Sequence, residues 1–165
     1  MRKHMRKVFV AVILSAGVPA SAQHKAISTP DAPKAIGPYS QAIQAGDLLF
    51  LAGQIAIDSK TQQFNADANI EDQTRQTLEN LRAILKASGM TMRNVVSVSV
   101  FMRDLSEFAN MNTVYASYFE GVPPARTTVQ AAALPRNAKI EISLIAMSLP
   151  PKRHHEEFQP PLPPR

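Results

Sequence analysis

Residues 124–142 read Pro-Ala-Arg-Thr-Thr-Val-Gln-Ala-Ala-Ala-Leu-Pro-Arg-Asn-Ala-Lys-Ile-Glu-Ile, which predicts two strands joined by a short turn. No other stretch constrains the fold as much. Side chains alternate between the faces of a strand, so Arg126, Thr128 and Gln130 share one face while Thr127, Val129 and Ala131 share the other. Arg126 opens the first strand and Glu141 the second. A cation, a hydroxyl and a carboxylate are therefore expected to meet at one end of a sheet. A guanidinium fork holds a carboxylate through two charge-assisted hydrogen bonds, and a nearby Glu can activate water. That combination points to a site for a small acid. A cross-strand ion pair on a solvated face is the plainer alternative, and the two strands alone leave both open.

The remaining periodicities supply the rest of the sheet. Residues 40–45 and 48–52 flank Gly46-Asp47 and predict a first hairpin. Residues 69–88 predict a helix: Asn69 caps it, Glu71 and Asp72 sit near its positive end, Gly89 ends it, and Thr74, Leu78, Leu81 and Leu85 form its buried stripe. The β-branched run 95–102 predicts a central strand, with Val96, Val98, Val100 and Met102 on one face and Ser97 and Ser99 on the other. A second helix is expected over 106–119, with Phe108, Met111, Val114, Tyr115 and Tyr118 at helical spacing and Pro123-Pro124 beyond its end. Strands over 125–133 and 140–149 complete a ββαβαββ order. Such an order implies an α+β fold, a mixed sheet with both helices on one face.

Two helices cover one face only. The last strand nevertheless carries Ile140, Ile142 and Leu144 on one side and Ile145, Met147 and Leu149 on the other. The second apolar side is expected to be buried by another subunit.

The chain has 165 residues, enough for one domain with its own core. Its formal charge is +5, but Arg2, Lys3, Arg6 and Lys7 crowd the first seven positions, and without them the excess falls to +1. A near-neutral domain lacks the field of a phosphate-binding surface, so nucleic acid is not an expected partner. Those basic residues precede an apolar run over 8–18 and the small-residue sequence Ala20-Ser21-Ala22, the layout of a secretory signal over 1–22, cleaved after Ala22. The run is too short to span a bilayer, so the mature protein is expected in the periplasm or medium and not in the membrane. Residues 23–34 are polar and aperiodic and read as a flexible leader; 35–149 form the domain; 150–165, with six prolines, read as an extended disordered tail.

Chemistry is limited by what the domain lacks. There is no cysteine, and His4, His24, His154 and His155 all fall in the expected signal, leader or tail. Ser-His-Asp and Cys-His sites, a His-rich zinc site and an iron-sulfur cluster are thereby short of residues, and no phosphate-cradling Gly-rich loop occurs. Lys34, Lys60, Lys86 and Lys139 have no apolar sequence setting favouring a neutral amine, so they read as surface lysines. Neither a metal nor a cofactor is expected.

Five motifs occur in one order: Ala35-Ile-Gly-Pro-Tyr-Ser-Gln-Ala42, Leu51-Ala-Gly-Gln-Ile55, the helix with Gln73 and Asn80, Phe108-Ala-Asn-Met-Asn-Thr-Val-Tyr115, and Pro124-Ala-Arg with Ile140-Glu-Ile. Together they resemble the RidA/YjgF family of reactive intermediate deaminases over residues 35–147. The resemblance implies a chorismate-mutase-like (YjgF-like) fold, a homotrimer with ligand clefts between subunits, and hydrolysis of 2-imino acids or enamines to 2-keto acids and ammonia. It implies that Arg126 binds the substrate carboxylate and Glu141 orients or activates water. Imine hydrolysis suits residues of this kind, because an iminium carbon is already electrophilic and needs mainly orientation and water. The resemblance also places Tyr39, Gly53, Asn112 and Thr128 around the substrate. From the residues alone Tyr39 is equally a core aromatic, Gly53 a strand-end glycine and Asn112 a solvated polar residue. Thr128 stands where many members have Cys, which removes thiol chemistry, and Thr127 replaces the commoner Ser. The implied substrates arise in the cytosol, whereas the signal sequence implies export. Two other readings therefore stay open, a noncatalytic module binding small carboxylic acids and a holdase-like or ribonuclease role.

Overall fold

A computed structural model describes residues 24–148. The expected signal sequence and Pro-rich tail lie outside the described residues. Six strands form one sheet in the order β1-β2-β3-β6-β4-β5: β1 His24–Ile27, β2 Ala42–Ala45, β3 Leu48–Gln54, β4 Val95–Met102, β5 Ala125–Gln130 and β6 Ile140–Met147. Two helices, α1 Ile70–Ala87 and α2 Phe108–Ala116, pack on one face, giving the mixed α+β sheet that the periodicities imply. One strand was not foreseen. Residues 24–27, read as part of a flexible leader, pair antiparallel with β2 and bury Ile27, while Ala32 farther along is fully buried. A four-residue edge strand with one buried side chain leaves almost no period-two signal, so the polar composition dominated the reading.

The helix α1 forms where expected and for the reasons expected. Asn69 Oδ1 accepts from the Asp72 amide at 2.7 Å, Glu71 and Asp72 lie at the positive end of the helix dipole, and Gly89 takes the left-handed conformation (φ 73°) beyond its last turn. Thr74, Leu78, Leu81 and Leu85 are fully buried against β3 and β6. Each leucine contributes about 1.5–3 kcal/mol of burial, and Leu81→Ala would cost about 2–5 kcal/mol.

The chain between the two C-terminal strands is not a hairpin turn. β5 runs parallel to β4 on one side, β6 runs antiparallel to β4 on the other, and the two never pair. β4 is the most uniformly β-branched strand and takes a neighbour on each side. A strand–helix–strand crossover through α2 lays β5 parallel beside it. Residues 131–139 then pass around the end of β4: the Ala131 amide donates to Met102, the Arg103 amide donates to Lys139, and Arg136 and Asn137 adopt left-handed backbone (φ 54° and 60°). The Arg103 guanidinium holds this bend through the Asn137 carbonyl at 3.0 Å and Oδ1 at 2.9 Å. Val96 also departs from expectation. A register shift between Val95 and Ser97 puts Val95 into the core and leaves Val96 exposed, while Val98, Val100 and Met102 are buried as the alternation requires.

The register assigns every side chain to a face. Arg126, Thr128 and Gln130 lie opposite Val98, Val100 and Met102, which pair in turn with buried Leu144, Ile142 and Ile140, so they share the helix face. Glu141 lies opposite Phe101 on the other, open face, beside Ser143, Ile145 and Met147. Leu48, Phe50, Val129 and Met147 leave that face apolar and partly exposed.

Candidate functional site

The bend before β6 and a bulge at the end of β3 place Glu141 over Gly53. A Cβ at position 53 would stand 2.8 Å from Glu141 Cδ and 3.1 Å from Cγ, and closer still to Oε1. Only glycine leaves room for the carboxylate to lie across this strand. Glu141 lines a cleft of about 390 Å³ with Pro33, Ile36, Tyr39, Ile57 and Pro135, where Lys34 is the other charged residue. Burial among these groups raises the pKa of the Glu141 carboxyl. Tyr39 is 45% exposed, not a core aromatic. The Gly37-Pro38-Tyr39 turn folds back so that the Ile36 amide donates to the Tyr39 hydroxyl at 3.3 Å, and the ring stands at the mouth of the cleft.

Buried amides hold the cleft walls. Asn80 Nδ2 donates to the carbonyls of Ile55 (3.1 Å) and Ile57 (2.8 Å), while its Oδ1 accepts from Gln76. Gln41 Nε2 donates to the Pro33 carbonyl at 2.7 Å, and its Oε1 accepts from the Thr29 amide at 2.7 Å. Gln73 Oε1 accepts from the Lys139 amide at 2.9 Å, next to the strand that carries Glu141. Such bonds inside a core fix loops that otherwise lack regular pairing.

Arg126 occupies a separate place, at the edge strand β5 beneath α2. Its Nη1 donates to Asn112 Oδ1 at 2.8 Å, and its Cζ lies 4.5 Å from the Tyr115 ring centroid and 5.5 Å from that of Phe108. Among the described residues it forms no ion pair. Thr128, two residues on, is partly buried, and its hydroxyl has no hydrogen-bond partner. The Tyr115 hydroxyl is likewise buried without a partner of regular geometry among the described residues; burial raises its pKa, and the neighbouring Arg126 partly offsets the rise.

The structure thus gathers the expected residues into two groups. Tyr39, Gly53 and Glu141 share the open-face cleft; Asn112, Arg126 and Thr128 share the helix-face edge. The meeting of Arg126 and Glu141 on adjacent strands does not occur within one chain, because β4 separates β5 from β6 and the two side chains point to opposite faces. Sequence reasoning missed the wall-holding role of Gln41 and Asn80 and the ring beneath Arg126. For Asn80 a signal existed in the chain: an amide next to Leu81 in a leucine stripe asks for a buried partner, and the structure buries it. A larger groove of about 1280 Å³ between α1 and residues 117–122 contains none of the expected site residues and is lined by an Arg82–Glu79 ion pair and a Tyr118 hydroxyl bonded to Glu79.

The Endoribonuclease L-PSP family model matches residues 29–148, the whole sheet apart from β1. The chain belongs to the RidA/YjgF family. A RutC family protein of Pyrococcus horikoshii is 52% identical over 120 residues, covering 73% of this chain and 94% of that protein. Reactive Intermediate Deaminase A of Arabidopsis thaliana chloroplasts is 48% identical over 126 residues, covering 76% of this chain and 67% of that protein. Among solved structures, Escherichia coli TdcF with bound serine superposes with a TM-score of 0.72 at 39% identity, covering 76% of this chain and 99% of that one.

Proposed function

We propose that this chain hydrolyses 2-imino acids and their enamines to 2-keto acids and ammonia, at sites where the Arg126 edge of one subunit meets the Glu141 cleft of another. The observation that carries the reading is the division of the chemistry between two faces. One face holds a guanidinium with donors left over after Asn112; the other holds a carboxylate in an apolar cleft. Neither half holds both the guanidinium fork and the Glu141 carboxylate. The open face that carries Glu141 is apolar at Phe50, Val129 and Met147, and apolar faces of this kind are covered by further copies in symmetric oligomers. A homotrimer is the assembly proposed. The name of the 48% identical Arabidopsis relative supports the choice of reaction.

In this mechanism Arg126 binds the substrate carboxylate and sets the imine carbon over the Glu141 cleft. The Glu141 carboxylate takes a proton from water as the water oxygen bonds to the carbon of the protonated imine, whose C=N electrons pass to nitrogen to give a neutral carbinolamine. Glu141 returns that proton to the nitrogen; as the C–N bond breaks and ammonia leaves, the hydroxyl proton passes to the freed Glu141 carboxylate and on to solvent, and the C=O bond of the keto acid forms. The raised pKa favours the first half of the cycle, since a more basic carboxylate accepts a proton more readily. Tyr39 closes the mouth of the cleft.

A second reading, a noncatalytic small-carboxylate module, draws on one fact: the Arg126 half is built without Glu141. The same experiment separates the two. Fresh imine from an amino-acid oxidase is given to the purified protein and keto-acid release is timed. Acceleration abolished in Arg126→Ala and Glu141→Ala supports the deaminase; carboxylate binding with no acceleration in the wild type supports the module. Export is proposed from the sequence of residues 1–22, and an intact Met1 in the mass spectrum of protein recovered from cells would overturn it.

A further inference from the structure

Phe108, Asn112 and Tyr115 occupy positions i, i+4 and i+7 of α2 and therefore form one stripe along the helix. Arg126 lies against all three. Its guanidinium carbon is 4.5 Å from the Tyr115 ring centroid and 5.5 Å from that of Phe108, and Asn112 Oδ1 accepts from Nη1 at 2.8 Å. Tyr115 is itself fixed: it is 7% exposed, and its ring packs on Phe119 with centroids 4.6 Å apart. Among the described residues its hydroxyl makes no hydrogen bond of regular geometry, although the Arg126 charge beside it partly offsets the rise in its pKa; the ring lies 4.5 Å from the guanidinium carbon. What it presents to Arg126 is a π face.

An arginine on an edge strand ordinarily samples many rotamers and loses that freedom on binding. Two rings and an amide remove it beforehand. We infer that Tyr115 and Phe108, with Asn112, are positioning residues that hold the Arg126 guanidinium in one plane, leaving the donors not used by Asn112 aimed away from α2 for a ligand carboxylate. The inference rests on the proposed role of Arg126 as carboxylate holder. It adds that ligand affinity depends on aromatic residues that do not themselves touch the ligand.

Tyr115→Phe keeps the π face and drops the unpartnered hydroxyl; Tyr115→Leu keeps apolar volume and removes the π face. Tyr115→Leu should raise KM for the imino acid and weaken binding of pyruvate by about 3- to 30-fold, the range spanned by cation–π contacts, with kcat changed by less than about twofold. Tyr115→Phe should match the wild type. Phe108 is 37% exposed, so Phe108→Leu tests the same contact without disturbing the core and should show a smaller shift in the same direction. Side-chain 15N NMR provides a readout independent of turnover: the Arg126 Nε–H signal should be ring-current shifted, with slow rotation about Nε–Cζ, in the wild type and Tyr115→Phe but not in Tyr115→Leu. An unshifted, freely rotating Arg126 in the wild type overturns the inference, as does unchanged pyruvate affinity in folded Phe108→Leu and Tyr115→Leu, or equal impairment in Tyr115→Phe. If the wild type shows the NMR signature and binds pyruvate but releases no keto acid, the proposed activity fails while the positioning stands.

Discussion

Gly53→Ala separates the chemistry from the fold more cleanly than any change to Glu141 itself. The added Cβ would lie 2.8 Å from Glu141 Cδ and 3.1 Å from Cγ, against about 3.5–4.0 Å for an unstrained carbon pair. The carboxylate must therefore retreat by roughly 1 Å or swing out of the cleft. A long side chain at a cleft moves cheaply, and the backbone at Gly53 is not in the left-handed region, so alanine fits it. Loss of backbone freedom in the unfolded chain gains about 0.4–1 kcal/mol, which offsets the displacement of Glu141. Stability should stay within about 1 kcal/mol of wild type, a melting shift of at most about 5 °C. A misplacement of about 1 Å costs on the order of 10²-fold in rate, and complete loss of a positioned base about 10²- to 10⁴-fold. Keto-acid release from freshly generated imine, measured beside a thermal melt, gives both numbers. A variant with wild-type turnover would refute the placement of Glu141 at the reaction. One that loses its fold along with its activity would refute the claim that Gly53 serves only to admit the carboxylate.

The other expectations span binding, stability and pH. Arg126→Ala should weaken pyruvate binding by about 1.5–3 kcal/mol, roughly 10- to 150-fold by calorimetry, while leaving the melting temperature nearly unchanged. Asn80→Leu deprives two buried carbonyls of their donor at about 1–3 kcal/mol each, so urea unfolding should show a large loss of stability, and activity should fall with the loosened cleft wall. Glu141 has a raised pKa in the fold, so the folded protein binds more protons than the unfolded chain between the ordinary value of 4.5 and that raised value. Stability due to this group therefore declines as pH rises through that window and stays reduced above it. Glu141→Gln should accordingly melt higher than wild type at neutral pH, with the difference vanishing below about pH 4. Wild-type turnover should fall with acidification through the same window, and the residual rate of Glu141→Gln should not follow it.

Elements whose boundaries are set by local chemistry were legible in the sequence. Asn69 and Gly89 bracket α1 in the chain as they do in the fold, and Val98, Val100 and Met102 alternate into the core as the pattern requires. What escaped was pairing. Nothing local to residues 124–142 shows that β4, some thirty residues earlier, competes for both strands, so two successive strands looked like a hairpin. The same error merged two half-sites into one. Arg126 and Glu141 were identifiable as chemically apt residues, but the face each points to depends on register with β4, a long-range property. The cradle of Phe108 and Tyr115 was visible as helical spacing, yet spacing does not reveal that a guanidinium from another strand lies over the rings.

The central claim is that Arg126 of one subunit works with Glu141 of another, and mixing two inactive variants tests it most directly. Arg126→Ala and Glu141→Ala are co-expressed in equal amounts with different tags, mixed oligomers are recovered through both tags, and keto-acid release is compared with each variant alone. In a recovered trimer that carries both variants, one of the three sites combines an intact Arg126 with an intact Glu141 from a neighbour, so about one third of wild-type activity should return. A mixed assembly as inactive as its parents, beside an active wild type, would contradict the shared site and require both residues to act from a single chain.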